Sequence, residues 1–368
     1  MIGLVFSAVV SIAAIIELRR YAPKLGIIDE PDHRKVHTKP IARIGGLGLI
    51  AGFFAGVLYF QLAISYCGPI AQVLIMPDPY LLTGAIAIAV TGLVDDLRGI
   101  NFRQKLVVQC LVATYMILAG ARLKFNFFIL PGYAEAVSVP VTFFWIIGVT
   151  NAVNLIDGLD GLAGGVFLIS LFVVSFCTML IGESLQIVLL FCMVGAVLGF
   201  LFVNWHPAKV FMGDSGSLFL GYIIAIYSLN ATVKPGNFFI FLIPVFAVGL
   251  PVFDTLLSMG RRALKGRPLF YPDKDHIHHR IQRVFGYSQR VTVYCLYGIN
   301  MVFGAFAIAL TVVKTPMAFV VVLMCAAFFL LLLYRLEYLC PASIRRYLDS
   351  RKRKKRLDIS SNTLLSGN

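Results

Sequence analysis

Charge is scarce in this 368-residue chain: Asp, Glu, Lys and Arg make up 14% of it, against roughly 25% in a soluble domain. That deficit excludes an ordinary water-soluble enzyme, and a hydrophobic content of 59% excludes a disordered chain. There is no CxxC pair. The seven cysteines (67, 110, 177, 192, 295, 325 and 340) are scattered and lie mostly in apolar runs, so they read as small core residues and not as a disulfide framework or metal ligands. There is no GxxxxGK[ST], which excludes nucleotide hydrolysis of the P-loop kind. No basic residue precedes the first apolar run, Ile2 to Ile16, and Arg19-Arg20 follow it. A cleaved secretory signal has the opposite flank.

What is present is long uncharged sequence. Ile44 to Pro77, Ala136 to Ile156, Ser215 to Val233 and Val291 to Val313 contain no Asp, Glu, Lys or Arg, and the mean hydropathy is +0.86. A spanning helix needs about 20 mostly apolar residues. The chain therefore reads as an all-α polytopic membrane protein with about eleven spans, near 2–20, 46–66, 80–94, 104–120, 138–153, 162–181, 185–204, 215–231, 237–257, 292–313 and 315–335. No internal repeat is evident.

With the N-terminus outside, 28 of the 32 Lys and Arg fall on the inner side, leaving Arg122, Lys124, Lys234 and Lys314 outside. The net charge of +14 is then an orientation signal that calls for no nucleic acid, and the C-terminus is cytoplasmic. Residues 1–340 form the membrane domain and 341–368 a basic tail. Its run Arg351-Lys352-Arg353-Lys354-Lys355-Arg356 serves as a stop signal or lies against anionic headgroups. Asp78, Glu135 and Glu183 are the acids outside, and all six His lie inside, which puts any chemistry at the cytoplasmic face.

Five inner segments carry the polar residues. Asp95-Asp96 ends the third span; two adjacent carboxylates at the membrane boundary need a metal or nearby bases, and Arg98, Arg103 and Lys105 follow. Asn151, Asn154, Asp157 and Asp160 lie without a cation between the fifth and sixth spans; their i,i+3 spacing suits one helix face, and Gly158 and Gly161 suit a turn that a ligand can approach. Met212-Gly213-Asp214-Ser215-Gly216-Ser217 enters the eighth span, where Asp214 reads as an N-cap or as a ligand of a hydrated Mg²⁺–phosphate complex. Asp273-Lys274-Asp275-His276-Ile277-His278-His279-Arg280 invites a zinc reading, but surrounding bases and the lack of a nearby Cys favour an anion such as phosphate. Pro31 to Gly46 adds Arg34, Lys35, His37, Lys39 and Arg43 before a Gly turn. Carboxylates for a dication and bases for phosphate are the equipment of phosphoryl transfer.

At these clusters the chain resembles the polyprenyl-phosphate N-acetylhexosamine-1-phosphate transferases. Asp95-Asp96, Asn151 to Gly165, Phe211 to Ser217 and His276-Ile277-His278-His279 match that family in order and approximate spacing. The His276–His279 form, with Arg34-Lys35-Val36-His37, is most similar to the WecA/TagO branch and less similar to the muramoyl-pentapeptide transferases.

The resemblance implies an enzyme of the bacterial cytoplasmic membrane with its active site inside. It would move N-acetylglucosamine 1-phosphate, or another N-acetylhexosamine 1-phosphate, from a UDP-sugar to undecaprenyl phosphate, as the first membrane step of an envelope polysaccharide. It implies Mg²⁺, with Mn²⁺ as a substitute, held by Asp214 and Asn154. Lys105 would bind phosphate, and Asn151, Asn154, Asp157, Asp160 and Arg280 would bind substrate. The catalytic group would comprise Asp95, Asp96, Asp157, Asp160, His276, His278 and His279. A homodimer is compatible with it. Two other readings compete. A transporter or flippase would need mid-span acids, for which Glu17 and Asp254 come closest; a CDP-alcohol phosphotransferase is echoed by Asp157-Gly158 and Asp160-Gly161 but lacks the DGxxAR start.

Overall fold

The computed structural model describes residues 1–30, 40–67, 76–123, 131–183, 186–232, 238–264, 266 and 276–338. The Arg34-Lys35-Val36-His37 segment, Asp273 to Asp275 and the basic tail lie outside the described residues.

The described residues fold almost entirely into helices: α1 (Ile2–Leu25), α2 (Gly45–Cys67), α3 (Pro79–Arg98), α4 (Phe102–Leu118), α5 (Pro131–Ile156), α6 (Leu162–Ile181) and α7 (Ile187–Asn204). These are followed by α8 (Gly213–Ser228), α9 (Leu242–Ala247), α10 (Gly249–Leu264), α11 (Ile277–Phe285), α12 (Gln289–Val312) and α13 (Thr315–Arg335). A helix occupies each expected span interval. Eight of them are long and apolar enough to cross a bilayer alone, or nine if the pair around α9 and α10 counts as one. This is a polytopic membrane protein.

Three intervals depart from a plain span. The α4 helix has 17 residues and carries Arg103 and Lys105 in its first turn. The α8 helix has only 16, and every residue from Ser215 to Leu229 is buried, the pattern of a helix enclosed by other helices on all sides. The interval 237–257, expected as one straight span, is broken instead: Phe239–Ala247 and Gly249–Leu264 meet at 90°. Pro251, in the first turn of α10, lacks the N–H that would continue the α9 ladder. The Leu250 N–H turns to Asn300 Oδ1 on α12, 3.3 Å away.

Without a hydrophobic drive between helices in lipid, close packing depends on small residues. The α1 helix fits between α2 and α7 in this way, with Gly48, Gly52 and Gly56 of α2 and Gly195 and Gly199 of α7 lying directly on its backbone and serines. The α8 helix packs against α2, α3 and α5. Two short strands, β1 (Ile28–Asp29) and β2 (Ile41–Ala42), pair antiparallel. Val210 bridges Ala42 in parallel, and Gly45 and Gly46 donate to the Phe211 and Met212 carbonyls at 2.9 and 2.8 Å. This strip ties the start of α2 to the start of α8, and the polar site lies beside it.

Candidate active site

The site begins with the N-terminus of α8, whose first N–H groups have no partner within the helix. The acceptor comes from another helix. Asp96, near the end of α3, accepts from the Asp214 N–H at 2.8 Å with one carboxylate oxygen and from the Ser215 N–H at 2.9 Å with the other. Gly213, at φ 76°, makes this possible: a Cβ there would meet both Asp96 oxygens within 2.9 Å. Both oxygens of Asp96 are thus spent on backbone, which makes this residue an anchor for Asp214.

Asp214 then projects between α3, α4 and α5. Its Oδ2 accepts from Lys105 Nζ at 2.8 Å and its Oδ1 from Asn154 Nδ2 at 3.2 Å. The same Lys105 ammonium donates to Asp95 Oδ2 at 2.7 Å, while Asp95 Oδ1 takes the Ile100 N–H, also at 2.7 Å. One ammonium between two carboxylates is a strong, charge-assisted arrangement that leaves net negative charge. Asn154 also donates to Ser217 Oγ at 2.8 Å, which links the ends of α5 and α8.

One helical turn further along, Asn151 forms an amide pair with Gln109 of α4, at 2.6 and 3.3 Å. Gln109 stands one turn beyond Lys105 and Asn151 one turn before Asn154, so the amide pair holds α4 and α5 together beneath the charged cluster.

The turn after α5 carries Asp157 and Asp160, and the structure separates their surroundings. Asp157 lies beside the cluster; desolvation, reinforced by the Asp214, Asp96 and Asp160 carboxylates, pushes its carboxyl up to about 7. Asp160 faces the other way, with Oδ2 bonded to His206 Nδ1 at 2.7 Å and to the Ala208 N–H at 3.1 Å. The turn is clamped by neighbours: Asn204 Oδ1 takes the Gly161 N–H at 2.8 Å, and Tyr297 Oη donates to the Gly161 carbonyl at 2.7 Å.

Among the described residues, the histidine loop meets this turn through His278. A Cβ on Gly158 would lie 3.0 Å from His278 Nε2. His278 is buried, and desolvation first, with His279 and His276 adding, holds its ring near a pKa of about 3. Burial therefore disfavours the charged form of this ring. His279 is exposed, its ring 4.2 Å from that of His278. Arg280 turns toward the end of α13, covering the Tyr338 ring at 3.8 Å and donating to the Leu336 carbonyl at 3.1 Å.

Asp95, Asp96, Lys105, Asn154 and Asp214 therefore converge, Asp157 borders them, and His278 reaches the same turn. Asn151 and Asp160 brace the surroundings. Sequence reasoning missed Gln109, the role of His206, and the pairing of Asp254 with His276 at 2.8 Å. An ionisable residue inside an apolar helix was the available signal for Asp254. Its partner removes it as an open ion site of a transporter.

A resident Mg²⁺ fits this donor set. Among the described residues no group of three His, Cys, Asp or Glu forms a protein cage. Mg²⁺ needs none, since it keeps waters and takes substrate phosphate oxygens alongside one or two carboxylates. Asn154 now presents its amide nitrogen to Asp214; as a metal ligand it would turn its oxygen there.

Comparison with known proteins agrees with this arrangement. Residues 79–232, which contain every member of the Asp95–Asp214 cluster, match the family model described as "Glycosyl transferase family 4". The chain is 39% identical to the Bacillus subtilis (strain 168) protein named "Probable undecaprenyl-phosphate N-acetylglucosaminyl 1-phosphate transferase", over 84% of this chain and 86% of that one. It is 31% identical to a Mycobacterium tuberculosis decaprenyl-phosphate N-acetylglucosaminephosphotransferase, over 79% and 77% of the two chains. It is 28% identical to the Escherichia coli (strain K12) undecaprenyl-phosphate alpha-N-acetylglucosaminyl 1-phosphate transferase, over 74% and 73%. A membrane chain that shares most of its length with these proteins, and gathers its acids, its lysine and Asn154 from four helices into one cluster, belongs to glycosyl transferase family 4, the polyprenyl-phosphate N-acetylhexosamine-1-phosphate transferases.

Proposed function

We propose that this protein transfers N-acetylglucosamine 1-phosphate from UDP-N-acetylglucosamine to undecaprenyl phosphate, releasing UMP. The reaction would take place at the cytoplasmic face of a bacterial inner membrane, in an eleven-span protein with its N-terminus outside. The supporting observation is the Asp95–Lys105–Asp214–Asn154 cluster at the ends of α3, α4, α5 and α8. The relatives' names supply the sugar and the lipid class.

In this reaction an oxygen of the lipid phosphate attacks the β-phosphorus of the UDP-sugar; the new P–O bond forms as the bond to the UMP oxygen breaks. A lipid phosphate is already largely ionised near pH 7, so no strong base is needed. Lys105 neutralises phosphate charge, and Asp95 holds its ammonium in place. Asp96 fixes the Asp214 backbone, and Asn154 orients the Asp214 carboxylate. Mg²⁺, when bound, would supply the remaining positive charge for the diphosphate. Direct transfer is favoured over an aspartyl-phosphate intermediate because Asp95, Asp96 and Asp214 each have both oxygens engaged by donors, which lowers their nucleophilicity.

The test is purified protein in detergent with undecaprenyl phosphate, Mg²⁺ and a panel of UDP-sugars, identifying both products. UMP and lipid-linked N-acetylglucosamine diphosphate are expected, with Asp214→Asn folded and at least about 100-fold slower. Release of UDP in place of UMP, full activity in chelator, or a near-normal Asp214→Asn variant would overturn the reading.

A further inference from the structure

The broken helix pair brings a buried acid to the histidine loop. Asp254 of α10 is 2% exposed and His276 is 6% exposed. Along α10, Leu250, Asp254, Ser258 and Arg262 are buried while Leu256 and Leu264 are exposed, which turns a polar stripe inward. Asp254 Oδ2 lies 2.8 Å from His276 Nδ1, and its Oδ1 accepts the Ile277 N–H, also at 2.8 Å.

We propose that Asp254 is a positioning residue for the proposed transfer reaction: it sets the proton location on His276 and the start of α11, and thereby places the histidine loop against the Asp157–Gly158 turn. The consequence for turnover rests on the reaction proposed above.

A carboxylate only accepts hydrogen bonds, so His276 must carry a proton on Nδ1; in the neutral tautomer Nε2 is then an acceptor. His276 is the N-cap residue of α11, yet its own side chain makes no capping bond. Asp254 supplies that acceptor from another helix, so a single carboxylate fixes both the ring and the backbone behind it. Ser258 Oγ stands 3.4 Å from the same Nδ1 and receives Arg261 NH2 at 3.0 Å, which closes the pocket around the pair. Two residues along α11, His278 stacks parallel to His276 at 5.8 Å and rests against Gly158. The alignment of that contact therefore depends on Asp254.

Asp254→Asn separates positioning from mere support. The amide is the same size, and its oxygen can still take the Ile277 N–H. Its NH₂ group then faces Nδ1 and forces the His276 proton onto Nε2. Two measurements on the full-length protein in detergent decide the matter. In ¹⁵N-histidine NMR, one imidazole is expected to change from the Nδ1–H to the Nε2–H form, with the melting temperature little altered. In the transfer assay, kcat should fall on the order of 100-fold while KM for the UDP-sugar stays within about threefold, and Asp254→Glu should recover part of the loss. An unchanged tautomer pattern would overturn the proposal. So would kcat within about twofold of wild type, or a loss that tracks only the fraction of folded protein. Wild-type protein with no transfer activity would instead defeat the proposed reaction, while the NMR result would still decide what Asp254 does.

Discussion

Asp157 is the acid of the cluster that has been given least help. Asp95, Asp96 and Asp214 each receive N–H or ammonium donors, whereas Asp157 contends with desolvation and with the charges of Asp214, Asp96 and Asp160, which push its carboxyl up to about 7 from 3.8. The linkage follows from that direction. Between about pH 4 and 7 the folded protein holds a proton that the unfolded chain has lost, so this residue's contribution to stability falls as pH rises through that window and is lowest above 7. In metal-free protein, Asp157→Asn should therefore raise thermal stability more at pH 8 than at pH 5, on the order of 2 kcal/mol at the higher pH. Saturating Mg²⁺ should shrink the difference, because a dication offsets the same repulsion. Melting curves in detergent at the two pH values, with EDTA and with Mg²⁺, check this; a gain independent of pH would remove the carboxylate repulsion from the account.

Between elements, the site depends on how closely α2 and α8 cross. A Cβ on Gly46 would lie 2.3 Å from the Gly216 nitrogen and 2.4 Å from its Cα, both backbone atoms that cannot swing aside. Gly46→Ala must push the helices apart, which costs about 1–3 kcal/mol by the usual penalty of overpacking. Since Gly216 is two residues from Asp214, the displacement also moves the carboxylate, so turnover should fall more than stability alone predicts. Gly148→Ala, at a position in α5 with nothing within 4 Å, is the control and should leave both unchanged. Melting temperature and transfer rate, measured on the same preparations, distinguish the two variants. The individual helices were legible because apolar runs of about 20 residues have few other outcomes in a membrane protein. The break at Val248 was not, since Pro251 inside an apolar interval reads equally as a kink within one span. The partners of Asp96 were also hidden: a carboxylate that caps a helix 118 residues away leaves no local spacing to read.

For the molecule as a whole, charge and chemistry point to the same face. Lys105, Asp95, Asp96, Asp157 and Asp214 all lie at the helix ends that the distribution of Lys and Arg assigns to the inside, whereas Asp78, Arg122 and Glu183 cluster around a cavity of about 230 Å³ at the opposite ends of α3, α4 and α8. The sequence thus carried the grouping of residues by face, because loop charge is read during insertion without any tertiary contact. The depth and pairing of those residues emerged only from helix packing. Topology can be measured independently of activity. In a cysteine-free variant expressed in bacterial cells, a single cysteine replacing exposed Asp78 or Glu183 should react with a membrane-impermeant maleimide added outside, and one replacing exposed Tyr287 should react only after the membrane is opened. The reverse pattern would put the carboxylate cluster on the outer face, where no nucleotide sugar is available, and would overturn the orientation expected from the distribution of Lys and Arg.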